Sequence, residues 1–233
     1  MPKSFIKIQP VKSSSEKHNT REIEPKYLIE PSNKNLCIVD EKIADRFEKI
    51  KENYQKNVGQ KMQKKATPIR EAVILLPDDK NEINSQLLFK LSDELEQKYG
   101  IKTFQWHIHN DEGHKNDKGE LKYNYHAHLV FDWTDEKGKS LKLDKNDMSE
   151  IQTLTAEVMQ MERGEFQSKS LSLNHKEYRG FMEVKDKLER ELKQELTKKQ
   201  EKELRQGIVQ KREELKAIKN ENKKRNRSGI TRG

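Results

Sequence analysis

The chain has 233 residues with 38% charged against 31% apolar, and Lys+Arg 48 against Asp+Glu 40 gives a formal net charge of +8. A typical globular domain is about half apolar, so one ordinary domain can be built here while part of the chain must be solvated helix, tail or linker. No apolar run is long enough for a transmembrane helix, no secretory leader is expected from MPKSFIKIQPVKSSS, and the single Cys37 excludes an internal disulfide or a cysteine-built zinc site. A reducing cytoplasm is the expected compartment. The positive balance favours a polyanionic partner such as nucleic acid.

In chain order, Ser4-Phe5-Ile6-Lys7-Ile8 alternates and reads as a first strand, ended by Pro10 and the serines at 13–15. A polar stretch with Pro25 and Pro31 reads as loop. Ile43, Phe47, Ile50 and Tyr54 have helical spacing within residues 39–65. Ala72-Val73-Ile74-Leu75-Leu76, closed by Pro77, has the mark of a buried strand. Asn81 is placed as the N-cap of a helix reaching Tyr99, with Gly100 just beyond its C-terminus. Strands at 102–109 and 123–133 follow, joined by a polar loop holding Gly113 and Gly119, and then a helix at 145–161. Residues 176–228 are mostly Lys, Glu, Arg and Gln with a thin apolar stripe, which reads as one or two long solvated helices, surface-packed, dimerising or near DNA. Residues 223–233 are expected to be disordered. The fold class expected is α/β (α+β): an antiparallel sheet with helices packed on it in residues 1–175, followed by a charged helical extension at 176–233.

Histidine is the least evenly spread residue. Five of the seven lie between positions 107 and 128, in two H-x-H pairs on the two expected strands. Side chains alternate along a strand, so His107 and His109 share one face, and Asn124, His126 and His128 share another. Ala127, Leu129, Phe131 and Trp133 lie opposite and must be the core side. Paired as a hairpin, the two strands bring three or four imidazoles together, with Asp111 and Glu112 at the mouth of the loop. Imidazoles with a carboxylate and no thiol suit Zn²⁺, Mn²⁺, Ni²⁺ or Co²⁺ in a site with open positions, hence a catalytic one. One of these groups exceeds what a three-ligand site needs and is expected behind the ligands, and His114 in the loop is read as idle.

His109-Asn110-Asp111-Glu112 followed by His126-Ala127-His128 resembles the H-x-D-E…H-x-H motif of mobilisation relaxases in the HUH endonuclease superfamily. His18-Asn19-Thr20-Arg21 is similar to the H-N-x-R motif of the MobV (Mob/Pre) branch, and Asn35-Leu36 to its second short motif. The stretch from Asn124 to Gly164 resembles the Bacteroidetes mobilisation proteins. The resemblance spans roughly residues 1–175. It implies a plasmid or transposon relaxase that nicks one DNA strand at an origin of transfer and keeps the 5′ end covalently. It further implies His109, His126 and His128 as metal ligands, Glu112 as a ligand or orienting group, His18 as nucleophile and Arg21 as a phosphate or positioning contact. Mn²⁺ is the first expectation for the metal, with Mg²⁺ also admitted. His107 and Asp111 are expected in supporting places. The family's commonest spacing is compact, whereas thirteen residues separate Glu112 from His126 here.

Tyr27 is the alternative nucleophile, though a phenol with reference pKa of about 10 needs more activation than an imidazole. Lys17, Arg21 and Lys26 are expected to contact DNA, with Lys34, Lys61, Lys64, Lys65 and Arg70 as further phosphate candidates. A homodimer through the C-terminal helices and contact with a transfer machinery are the other partners expected. Two other functions fit the same residues: a rolling-circle replication initiator, and a non-enzymatic DNA-binding protein whose histidines hold zinc.

Overall fold

The computed structural model describes residues 2–25, 28–29, 34–115, 119–165, 175–192 and 195–229. The chain divides into two compact units, Met1–Gln167 and Ser168–Gly233.

In the first unit, strands β1 (Ile6–Pro10), β2 (Leu36–Val39), β3 (Ile69–Leu75), β4 (Lys102–His109) and β7 (His126–Asp132) form one sheet in the order β1-β3-β7-β4-β2. Every neighbouring pair is antiparallel. Two short strands, β5 (Gly113–Lys115) and β6 (Leu121–Tyr123), pair as a separate ribbon between β4 and β7. The helices are α1 (Ser15–Asn19), α2 (Ile43–Val58), α3 (Asn81–Tyr99) and α4 (Lys145–Val158).

Period-two alternation decides which side of the sheet is dry. Ala72, Ile74, Ile108, Ala127, Leu129 and Phe131 point to one face and are buried in a single apolar cluster. That cluster is closed by Leu88, Leu91 and Leu95 of α3 and by Ile151, Leu154 and Val158 of α4, the i, i+3, i+7 stripe of each helix. Each such leucine contributes about 1.5–3 kcal/mol by leaving water. On the opposite face Ile69, Phe104 and Val130 pack under Ile50 of α2, but only at one end of the sheet. The other end of that face carries the histidines.

The helix ends are built by local chemistry. Gly100, at φ 72°, terminates α3 by donating its N–H to the Glu96 carbonyl, and Ile101 donates to Leu95. Asp144 and Asp147 form a reciprocal capping box at the start of α4. Asn81 is not the N-cap of α3: it is the first helical residue, and its side chain reaches back to the Lys34 carbonyl at 2.7 Å. Two elements escaped the sequence reading: α1 lies in the Ser/Lys-rich stretch read as loop, and β2 just before the α2 pattern. The expected single strand at 123–133 breaks at Asn124 and Tyr125 into β6 and β7.

The second unit holds α5 (His175–Leu192) and α6 (Lys198–Gly229). Ion pairs Lys185–Glu201 and Glu177–Arg212 step in opposite senses along the two helices, so they run antiparallel. Arg205 covers the buried Phe181 ring at 4.3 Å. α6 extends to Gly229, and residues 230–233 of the expected disordered tail lie outside the described residues. Its high Lys, Glu and Arg content suits a solvated helix as well as a tail. No helix among the described residues is long and apolar enough to cross a membrane.

Candidate active site

β4 and β7 pair directly, with His109 across from His126 and His107 across from His128. The register aligns both H-x-H faces, which is what two antiparallel strands of matching parity must do. All four imidazoles are buried. The ring centroids of His109 and His126 lie 5.1 Å apart, and those of His109 and His128 4.9 Å apart.

Three of the rings are tied by one nitrogen and leave the other facing inward. His109 donates its Nε2–H to the Asn19 carbonyl at 2.9 Å, His126 donates Nδ1–H to the Asn124 carbonyl at 2.8 Å, and His128 donates Nδ1–H to Glu71 Oε1 at 2.5 Å. A carbonyl or carboxylate oxygen can only accept, so each tautomer follows from its partner. The remaining nitrogens therefore carry lone pairs. His109 Nδ1 and His126 Nε2 face each other at 3.3 Å, and His128 Nε2 is buried with no hydrogen-bond partner among the described residues. Two opposed lone pairs and an orphaned third acceptor are unfavourable without a cation among them. Glu112 adds its Oε1 at 3.9 Å from His109 Nδ1 and 3.8 Å from His126 Nε2. Ligand atoms of His109, Glu112 and His126 lie within 4.8 Å of one another, as do those of His18, His109 and His128. Nitrogen and oxygen donors oriented from behind by carbonyls and a carboxylate fit a divalent metal.

Burial also keeps these rings neutral. The His126 and His107 pKa values are pushed down to about 4, first by burial and then by the neighbouring His128, and His109 is lowered for the same two reasons.

His18 approaches this cluster from α1. Its ring stands edge-on to His109 at 5.5 Å and to His128 at 5.4 Å, with Nε2 at 3.9 Å from Glu112 Oε1. It is about 30% exposed, unlike the rings behind it. Burial, then the charges of His128 and Arg21, lower its pKa against the opposing pull of Glu112 and Glu71.

A helix of five residues cannot hold itself in place. Glu71 on β3 does so: Ser15 Oγ donates to its Oε2 at 2.8 Å and Asn19 Nδ2 to its Oε1 at 3.1 Å. The same carboxylate receives His128. Burial would raise its pKa, but the His128 bond and charge with the Ser15 and Asn19 donors outweigh that and hold it at about 2. Glu71 thus joins the His18 helix to the histidine cluster, and sequence reasoning missed it. Its signal was a lone carboxylate beside the apolar run 72–76, meaningful only once its face was known.

Arg21, at φ 58°, sits in the left-handed region that a non-glycine residue rarely adopts. Its Nε and Nη2 grip Asp111 at 2.8 and 2.6 Å, Nη2 also reaches Glu112 at 2.8 Å, and Nη1 meets the His18 carbonyl at 3.3 Å. Its side chain is about 6% exposed, with the guanidinium turned in to the two carboxylates. Asp111 is filled by Arg21 and by Asn35 Nδ2 at 2.7 Å, and it stands outside the histidine cluster. His107 lies one row along the sheet, 3.3 Å from Gln105 Oε1, and joins neither ligand group. Lys17 is exposed on α1 and His114 on β5. Lys26 and Tyr27 lie outside the described residues.

No family model matches the chain, and no curated protein matches it. Solved structures do. The manganese-bound MobM relaxase domain (MOBV; Mob_Pre) with plasmid pMV158 oriT DNA superposes with a TM-score of 0.60 at 20% identity, covering 77% of this chain and 99% of that one. The chain has the fold of a MobV relaxase domain. A second manganese-bound MobM structure with oriT DNA gives a TM-score of 0.57 at 19% identity, over 77% of this chain and 98% of that one. At that identity the MobV likeness is one of fold, and the roles of individual side chains rest on the geometry above.

Proposed function

We propose that the protein is a MobV-type DNA relaxase, nicking one strand at an origin of transfer through His18, with residues 1–175 as its catalytic part. One observation carries the reading. An exposed-edge histidine is held beside three inward-facing imidazoles and a carboxylate from about ninety positions further along the chain. The DNA-bound MobM structures of the same fold support DNA as the partner.

His109, His126 and His128 would hold a divalent ion, with Glu112 completing or orienting the set. We take Mn²⁺ as that ion, as in the MobM structures, while Mg²⁺, Zn²⁺, Ni²⁺ and Co²⁺ suit similar donors. When bound, it supplies Lewis-acid withdrawal of charge from the scissile phosphate. His18, kept neutral near pH 7 by its lowered pKa, presents a ring lone pair to phosphorus. A nitrogen–phosphorus bond forms, the bond from phosphorus to the 3′ oxygen breaks, and that oxygen takes a proton to leave a free 3′-OH. The 5′ phosphate stays on His18, so the reverse attack can rejoin the strand. Arg21 acts as a positioning residue, fixing Glu112 and the carbonyl of His18, rather than as a phosphate clamp. Lys17, exposed on the nucleophile helix, and Lys26 remain the DNA contacts.

The test is incubation with a labelled single-strand library of randomised sequence and Mn²⁺, followed by denaturing electrophoresis. A slow covalent band in the native protein, lost in His18→Ala and kept in Tyr27→Phe, is expected. A band that persists in His18→Ala would move the nucleophile elsewhere, and metal binding without any band would favour a non-enzymatic role.

A further inference from the structure

Among the described residues, the histidine face is not fully covered. α2 closes it over Ile69, Phe104 and Val130, and α1 closes it at Glu71. On β3 the core side is taken by Ala72 and Ile74, both fully buried, so Val73 and Leu75 share the face of Glu71 and the histidines. On β1 the core side is taken by Ile6, which turns Phe5 and Lys7 the same way. The register then gives two rows across the sheet. One runs His109, His126, Leu75 and ends at Phe5, whose carbonyl accepts the Leu75 N–H at 3.1 Å. The other runs His107, His128, Val73 and Lys7. Strands are spaced by about 4.8 Å, so Phe5 and Lys7 stand about 10 Å from the inward nitrogens.

Burial falls along both rows. The histidines are buried, Val73, Leu75 and Lys7 are half-buried, and Phe5 is 43% exposed. Lys7 has no ion pair among the described residues. An apolar strip with an exposed ring and an uncommitted ammonium, continuous with a phosphate-handling cluster, has the composition of a single-strand platform. Strand addition by another protein fits less well. The outer edge of β1 is already used, since Gln152 Nε2 donates to the Ile6 carbonyl at 2.5 Å and Ser4 N–H to Glu162 at 2.7 Å.

We propose that this strip seats the unpaired nucleotides next to the scissile phosphate, with Phe5 stacking on a base and Lys7 pairing with a backbone phosphate. The proposal rests on the relaxase reading and adds the path of the strand to it.

The test uses the full chain and a fluorescent single-stranded oligonucleotide of mixed sequence, with anisotropy read in EDTA over a salt series. Phe5→Ala should weaken binding by about tenfold while Phe5→Tyr keeps it, because stacking needs a ring and not its identity. Lys7→Gln should reduce the salt slope by about 0.7, the loss of one single-strand phosphate contact. Melting temperatures are measured alongside, and if Phe5→Ala has lost its fold the Lys7→Gln slope decides. Wild-type affinity and slope in both variants, with adducts still formed on the randomised library, would overturn the platform and leave the relaxase reading standing. A native protein that neither binds the oligonucleotide nor forms adducts would overturn both.

Discussion

At the residue scale, the His18 helix and the histidine cluster share one buried carboxylate. Glu71 accepts from Ser15, Asn19 and His128, and removing it leaves three buried donors without a partner. Each such group costs about 1–3 kcal/mol. Glu71→Ala should therefore lower the melting temperature and weaken Mn²⁺ binding by about 10- to 100-fold, the usual loss when a ligand's supporting group goes. Calorimetric titration checks it, and unchanged affinity in a folded variant would make Glu71 purely structural. Acid should destabilise the metal-free protein. His107 and His126 take protons near 6.5 when unfolded but only near about 4 when folded, so between those values the unfolded chain binds more protons. Stability then falls as pH drops, by up to about 1.4 kcal/mol per unit for each histidine. Glu71, near 2 when folded against 4.5 in the open chain, adds a loss in the same direction below 4.5. Thermal melts in EDTA should show this fall, and a flat profile would contradict the neutral, buried cluster. The histidines were legible because H-x-H parity survives any strand register, and Glu112 because it stands at the mouth of the loop that joins the two strands. Glu71, Asn19 and Asn124 were not, since each acts through a partner that only the folded chain brings near.

At the element scale, long periodic segments were readable and short polar ones were not. β4, β7 and α3 carry enough apolar alternation or stripe to announce themselves. α1 has no stripe at all: its helical turn exists because Ser15 and Asn19 are tied to β3, a tertiary cause. The polar loop between Glu112 and His126 contains the β5–β6 ribbon, which explains how the motif tolerates its long spacing. Asn124 N–H closes the ribbon base on the Glu112 carbonyl at 2.9 Å, so both ends of the excursion return to the site. Where burial rather than hydrogen bonding decides, the prediction differs. Leu91→Ala on α3 opens a cavity in a fully buried position and should cost about 2–5 kcal/mol. Denaturant melts should show a lowered midpoint with metal affinity retained, and a loss below about 1 kcal/mol would mean that α3 collapses into the gap.

At the scale of the whole molecule, the low apolar fraction is unevenly placed. The first unit owns both apolar clusters and every group of the histidine site, and the second is a charged antiparallel helix pair with its own ion pairs. A chain trimmed to residues 1–167 should therefore fold cooperatively, bind Mn²⁺ as the full chain does and still form adducts. Loss of metal binding on trimming would show that the site needs the helix pair. The dimer proposed for the C-terminal helices would appear as a halving of the assembly mass on the same trimming, read by light scattering.

If His18 is the nucleophile, it ends up covalently joined to DNA, and the position of that bond can be located. Adducts formed with Mn²⁺ are digested with nuclease and trypsin, and the modified peptide is sequenced by mass spectrometry under neutral conditions. The nucleotide should sit on the peptide His18-Asn19-Thr20-Arg21, and the bond should be lost in mild acid, as nitrogen–phosphorus bonds are. An acid-stable nucleotide on the peptide beginning at Tyr27 would contradict the account.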